Sequence, residues 1–183
     1  MIKDKKMKLV KSEGDINYYL FTPSLFSLYY NESSVNHKEE PVHRYSISHK
    51  LHMLWYVLNG GYKILYAEKN NEILSYIIFT KANNKIIKNC DKDDYYTIFL
   101  WTYPQFRGHG LATLMAQTML NDLNIEYNNF YKTISKDNYA SMKVAEKCGF
   151  TIKCDSVKTG LLHTINFTDN GTQFLYCKKS GDR

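Results

Sequence analysis

A chain of 183 residues with 44% hydrophobic and 23% charged content holds enough apolar material for a buried core and is not a disordered polyelectrolyte. Its net charge of +6 favours anionic partners, yet the basic residues are scattered apart from Lys3, Lys5, Lys6, Lys8 and Lys11. That pattern argues against the concentrated basic face of a nucleic-acid-binding domain. The four cysteines have no C-x-x-C spacing, no apolar run is long enough to span a membrane, and no apolar signal core opens the chain, so a cytoplasmic protein with reduced thiols and no metal site is expected.

In chain order, residues 7–10 suggest a short strand after a solvated basic start, and residues 16–21 a firmer one. Thr22-Pro23 supplies an N-cap followed by proline at the first helical position. With Leu25, Phe26, Leu28 and Tyr29 as an apolar face, it predicts a short helix over residues 23–30. Residues 31–45 are polar and aperiodic and read as a loop. Ile47, Leu51, Leu54, Trp55 and Leu58 fall on one stripe of a helix over residues 46–59, which Asn59-Gly60-Gly61 stops. Residues 63–69 and 73–81 read as two strands joined at Asn70-Asn71, a hairpin signal, and residues 83–94 as a polar loop.

Residues 95–103 are β-branched and aromatic without a breaker, as a buried strand requires, and Pro104 stops the run by removing a ladder donor. Arg107-Gly108-His109-Gly110-Leu111-Ala112 follows, and Leu111, Leu114, Met115, Met119 and Leu123 then recur at helical spacing. Two glycines where a strand feeds a helix let the backbone turn sharply and come close to a ligand. The helix start adds unpaired N–H groups and partial positive charge, which makes the turn an anion site. It lacks the Lys-Ser/Thr ending of a P-loop and the glycine spacing of a dinucleotide turn. Beyond it, residues 129–135 form a strand, and Asn or Asp at 137 or 138 caps a helix lined by Ala140, Val144 and Cys148 and ended by Gly149. Residues 150–154 and 173–178 read as a closing strand pair around a polar loop over 155–171.

The string Arg107-x-x-Gly110-x-Ala112 after a hydrophobic strand and Pro104, followed by Asn138 opening a helix that closes with Gly149-Phe150, resembles the two signatures of the GNAT superfamily of N-acetyltransferases. The resemblance covers residues 100–150. It implies an α/β (α+β) fold in a single domain over residues 1–183: a mixed central sheet of six to seven strands flanked by about four helices. A coenzyme cleft would lie between splayed fourth and fifth strands, residues 95–103 and 129–135. The co-substrate it implies is acetyl-CoA. Its pantetheine arm would lie along Leu100, Trp101 and Thr102, its pyrophosphate on the amides of Gly108, His109, Gly110, Leu111 and Ala112, with charge from Arg107 and His109 and further contacts at Asn138 and Ser141.

The activity implied is transfer of an acetyl group to a primary amine of a small molecule or peptide, by direct attack in a ternary complex. The Thr102 backbone N–H would serve the oxyanion and Tyr103 would stand beside the acceptor. The chain departs from the superfamily pattern four residues before Gly149, where a tyrosine usually approaches the coenzyme sulfur and Ala145 stands here. Tyr139 is the substitute acid, and Glu68 or Glu72 acting through water are candidate bases. His37, Glu39, Glu40, His43 and Arg44 are candidate acceptor contacts. A non-catalytic acyl-CoA sensor is the alternative, and a basic nucleic-acid-binding domain a third reading. No nucleic acid, membrane or metal is expected as a partner, and a homodimer is left open.

Overall fold

The computed structural model of the chain describes residues 7–28, 47–160 and 163–181. Five of the site expectations, at His37, Glu39, Glu40, His43 and Arg44, lie outside the described residues. Asn70 and Asn71 both take positive φ, 53° and 65°, and this turn folds β3 (Lys63–Lys69) onto β4 (Glu72–Lys81) in antiparallel register. Positive φ at both central positions matches the right-handed strand twist, and asparagine tolerates it better than most side chains. β1 (Met7–Glu13) and β2 (Ile16–Phe21) form a second hairpin, and β2 pairs with β3 so that Tyr19, Tyr66 and Tyr76 stand in one cross-strand row.

The remaining elements are α1 (Ile47–Leu58), β5 (Tyr95–Thr102), a one-turn 3-10 helix (Pro104–Phe106), α2 (Leu111–Asn121), β6 (Asn129–Ser135), α3 (Tyr139–Lys147), β7 (Thr151–Thr159), β8 (Thr164–Thr168) and β9 (Gln173–Lys179). The nine strands form one mixed sheet in the order β1-β2-β3-β4-β5-β6-β9-β7-β8, with β5 and β6 parallel. The α/β expectation therefore holds, with nine strands in place of six to seven and three α-helices among the described residues in place of about four.

Cα packing divides the chain into two compact units, Met1–Thr80 with Phe99–Asn124, and Lys81–Ile98 with Ile125–Arg183. In the first, Tyr18, Phe21, Ile64, Leu65, Tyr66, Tyr76, Ile77 and Phe79 are fully buried, and α2 packs on β3. Each large apolar side chain so buried stabilises the fold by about 1.5–3 kcal/mol before entropy is counted. In the second, Phe130, Tyr131, Leu175 and Tyr176 fill the core, and Asp94 is buried with its carboxylate accepting from the backbone amides of Asp91 and Asn129 and from the Asn129 side chain.

Three expectations are corrected. Residues 23–28 make no helix. Ser24 and Ser27 exchange backbone hydrogen bonds across a tight turn, and Phe26 is 98% exposed. A helix this short needs a buried apolar face, and that one has none. In α1 the expected stripe is largely solvent-facing: Ile47, Leu51 and Leu58 are 79%, 60% and 70% exposed, and the buried residues are Met53 and Tyr56. Tyr56 decides the inward face through ring contacts with His52, Trp55 and Tyr62. Finally, residues 155–171 do not form a plain loop, because β7 runs on to Thr159 and turns into β8. Ile165 and Ser156 are buried in that hairpin, and Ile87, from the expected polar loop, bridges to Ile165.

Candidate active site

The turn predicted to hold an anion is built as its residues require. β5 ends at Thr102, Pro104 opens the 3-10 turn, and the Arg107 amide closes it by donating to the Pro104 carbonyl at 3.2 Å. Gly108 and Gly110 follow at φ of 84° and 80°, conformations in which a Cβ is strained. A Cβ at either position would meet no atom within 4 Å, so the glycines serve the backbone turn and leave the space above it open. The first amides of α2 bonded inside the turn are those of Thr113 and Leu114, both donating to the Gly110 carbonyl. Among the described residues, the amides of Gly108, His109, Gly110, Leu111 and Ala112 have no acceptor. Five consecutive free donors at a helix start carry partial positive charge toward one open surface. The His109 side chain is exposed and makes no hydrogen bond, ion pair or ring contact among the described residues.

The strand edge leading into the turn is held with equal definition. Ser75 Oγ, on β4, donates to the Trp101 carbonyl at 2.7 Å and lies 2.9 Å from Thr102 Oγ1. The 101–102 peptide is trans and planar, so its N–H points opposite to its carbonyl: the Thr102 N–H is directed away from β4. The next carbonyl, of Thr102, accepts from Arg107 Nε at 2.9 Å, while the Arg107 guanidinium carbon sits 4.5 Å above the Trp101 ring. Trp101 stacks in turn on Phe99, whose ring meets Tyr76 at a tilt, and the buried Trp101 indole N–H has no acceptor among the described residues. Leu100, Trp101, Thr102 and Arg107–Ala112 thus make up one continuous candidate site in the first unit.

The other expected residues divide. Tyr103 is 2% exposed and packs in the first unit, its amide donating to the Leu74 carbonyl, so its ring is a core group rather than a surface one. Glu68 is buried at the β3–β4 hairpin, where its carboxylate accepts from the Asn71 amide, while Glu72 is exposed. In the second unit, Asn138 caps α3 by accepting from the Ser141 amide at 3.1 Å, which engages both residues in helix capping. Tyr139 is 71% exposed, and Ala145, at the usual tyrosine position, is fully buried.

Two residues escaped the sequence reading. Ser75 is the one small polar residue in a run of Ile, Leu, Tyr and Phe from Ile73 to Phe79, a signal visible in the string. Lys132 is a lone lysine inside β6, buried to 7% exposure, with its ammonium 5.7 Å from the Phe150 ring centroid. Burial lowers its pKa to about 8, an effect the nearby Cys148 thiol partly opposes. Cys148 and Cys177 are buried thiols outside any disulfide, and burial raises their pKa values. Among the described residues, no cluster of His, Cys, Asp or Glu could hold a metal ion, and no helix is long and apolar enough to cross a membrane.

A parallel β5–β6 pair in a mixed sheet, with a glycine turn between β5 and the helix that crosses to β6, is the architecture of GNAT acetyltransferases. Solved structures with this fold include the microcin C7 self-immunity acetyltransferase in complex with acetyl-CoA and AMP (19% identity over 91% of this chain and 93% of that one, TM-score 0.56). Spermidine N-acetyltransferase from Vibrio cholerae in complex with CoA and spermine is another (15% identity, 90% and 96% covered, TM-score 0.57). A third is the ribosomal-protein-S5-alanine acetyltransferase from Vibrio fischeri (12% identity, 94% and 97% covered, TM-score 0.59). No curated protein matches the sequence. The sequence model of the Acetyltransferase (GNAT) family matches residues 23–150, more than half of the chain, and the chain belongs to that family.

Proposed function

We propose that this protein is an N-acetyltransferase that moves an acetyl group from acetyl-CoA to a primary amine of a small molecule or peptide, by direct attack in a ternary complex. The observation that carries the reading is the run of five unengaged amides from Gly108 to Ala112 at the start of α2. A diphosphate matches such a run in charge and in acceptor number. Structural neighbours in complex with acetyl-CoA or CoA support the same choice of donor.

In this reading the pantetheine arm runs along Leu100, Trp101 and Thr102. Asn138 and Ser141 stay assigned to the coenzyme by the family resemblance alone. The acceptor ammonium, of ordinary pKa near ~10, loses a proton before it attacks the thioester carbonyl. The tetrahedral oxyanion then receives the Thr102 N–H, which already points away from β4; one such donor is worth about 10² to 10³ in rate. With Glu68 occupied in its hairpin, the ammonium proton passes to water, and positioning and carbonyl polarisation carry the step. Collapse of the intermediate forms the amide and breaks the C–S bond, and coenzyme A leaves as a thiolate that takes a proton from Tyr139 or from water.

A second reading, an acyl-CoA sensor without transfer activity, draws on buried Ala145 at the position of the usual tyrosine. Acetyl-CoA binding followed by thiol release against an amine panel separates the two. Amine-dependent, saturable release supports the transferase. Saturable binding with no amine accelerating release supports the sensor, and no binding at all removes both.

A further inference from the structure

Arg107 and Ser75 together hold both carbonyls that flank the Thr102 amide. Ser75 Oγ donates to the Trp101 carbonyl at 2.7 Å, and Arg107 Nε donates to the Thr102 carbonyl at 2.9 Å. The Thr102 N–H lies in the plane of the 101–102 peptide and has no torsion of its own, so the Ser75 bond to the Trp101 carbonyl sets its direction, and the Arg107 bond to the Thr102 carbonyl anchors the adjoining peptide unit against which that plane could turn. Fixing both carbonyls fixes that direction before any ligand arrives, which is what a preorganised donor needs. The Arg107 guanidinium is also stacked on Trp101, so its charge and its Nε proton are committed to the strand end within the turn's own unit.

From this geometry we infer that Arg107 and Ser75 are positioning residues that aim the Thr102 N–H at the reacting carbonyl, and that Arg107 acts through its Nε donor rather than as a charge for the diphosphate. The inference rests on the transferase reading and deepens it. It also makes a chemical distinction that a charge role does not. Glutamine carries an N–H donor on the atom bonded to Cδ, where arginine carries Nε, but has no charge. Lysine keeps the charge and places a methylene at that atom.

The test compares Arg107→Gln, Arg107→Lys and Ser75→Ala with the wild-type chain. The readouts are acetyl-CoA Kd by calorimetry, kcat with any amine the wild type accepts, and the Thr102 backbone amide resonance in a nitrogen-labelled sample. The expected result is a ranking: Arg107→Gln loses about tenfold less kcat than Arg107→Lys and moves the Thr102 resonance less. The Lys and Ala variants should lose about 10- to 100-fold in kcat, as misplacement of a catalytic donor does, with Kd changed less than about threefold and the resonance shifted. Arg107 lies exposed beyond the end of β5, so its variants fold, and the resonance reads the Ser75 variant independently of activity. A Lys variant as active as wild type beside a Gln variant of weakened Kd would overturn the inference in favour of a charge role. Equal behaviour of Gln and Lys, or an unchanged kcat in Ser75→Ala, also overturns it. Wild type that fails to bind acetyl-CoA sinks the transferase reading itself, whereas binding and turnover with the wrong ranking sink only the positioning role.

Discussion

Replacing Lys132 by methionine should stabilise this protein, and by an amount that depends on pH. The lysine stands on β6 opposite Thr97 of β5 and Tyr176 of β9, and no carboxylate pairs with it among the described residues. Burial is the main cause of its low pKa, about 8 against an ordinary 10.5, and the Cys148 thiol works weakly the other way. Each pH unit of difference is about 1.4 kcal/mol, so holding the ammonium inside costs about 3 kcal/mol. The sign follows from proton counts. Below pH 8 folded and unfolded chains both carry the proton and the full cost is present. Between about 8 and 10.5 the unfolded chain binds more protons, so stability rises with pH, and above 10.5 the cost is gone. Methionine has similar length and no charge, so Lys132→Met should gain up to about 3 kcal/mol at pH 7, roughly 6–12 °C in Tm for a chain of this size. Urea unfolding of both proteins at pH 7, 8, 9, 10 and 10.5 measures it. A stability difference that stays constant across that series, or a variant less stable at pH 7, would refute the assignment of a buried charged amine.

Gly110→Trp should weaken coenzyme A binding at least about tenfold, because the ring blocks approach to amides whose charge-assisted bonds are worth about 1.5–3 kcal/mol each. The new Cβ meets nothing in the fold but is strained at φ of 80°, a cost of about 1–3 kcal/mol. Far-UV circular dichroism establishes that the variant is folded, and wild-type affinity in the folded variant would remove the turn from the site. Glu68→Gln should keep kcat within about twofold, since the amide oxygen can still accept from the Asn71 amide. A kcat loss of about 10² or more would instead restore Glu68 as a base. Asn138→Ala removes the α3 cap and should cost about 1 kcal/mol, a Tm fall of about 2–4 °C in a thermal melt. If coenzyme A affinity falls as well, Asn138 takes part in binding beyond its cap.

The features legible in the string were those whose cause lies within a few residues. Asn70-Asn71 gave the hairpin because both residues tolerate positive φ, Gly108 and Gly110 gave the open turn for the same reason, and Asn138 gave the start of α3 because its carboxamide reaches the Ser141 amide. What misled was apolar pattern without knowledge of its neighbours. The helical stripe of α1 was present as a period, but that period cannot say which face meets a partner, and Tyr56 settled it through ring contacts. Residues 155–171 looked polar because the buried positions of β7 and β8 include Ser156, whose inward hydroxyl finds the Gln173 carbonyl only once β9 lies alongside.

From its sequence alone this protein's class was determined: a strand, a Pro104 stop, a two-glycine turn and a helix can be read in order, since backbone conformation and capping are local. The aim of the Thr102 N–H, the engagement of Arg107 and the burial of Lys132 belong to tertiary structure. Ser75 lies 26 residues from Trp101 in the chain, and Lys132 is desolvated by strands and a helix end drawn from both sides of it. Hydrogen-bond direction and dielectric depend on atoms that only folding brings together, and no spacing rule within one segment contains them.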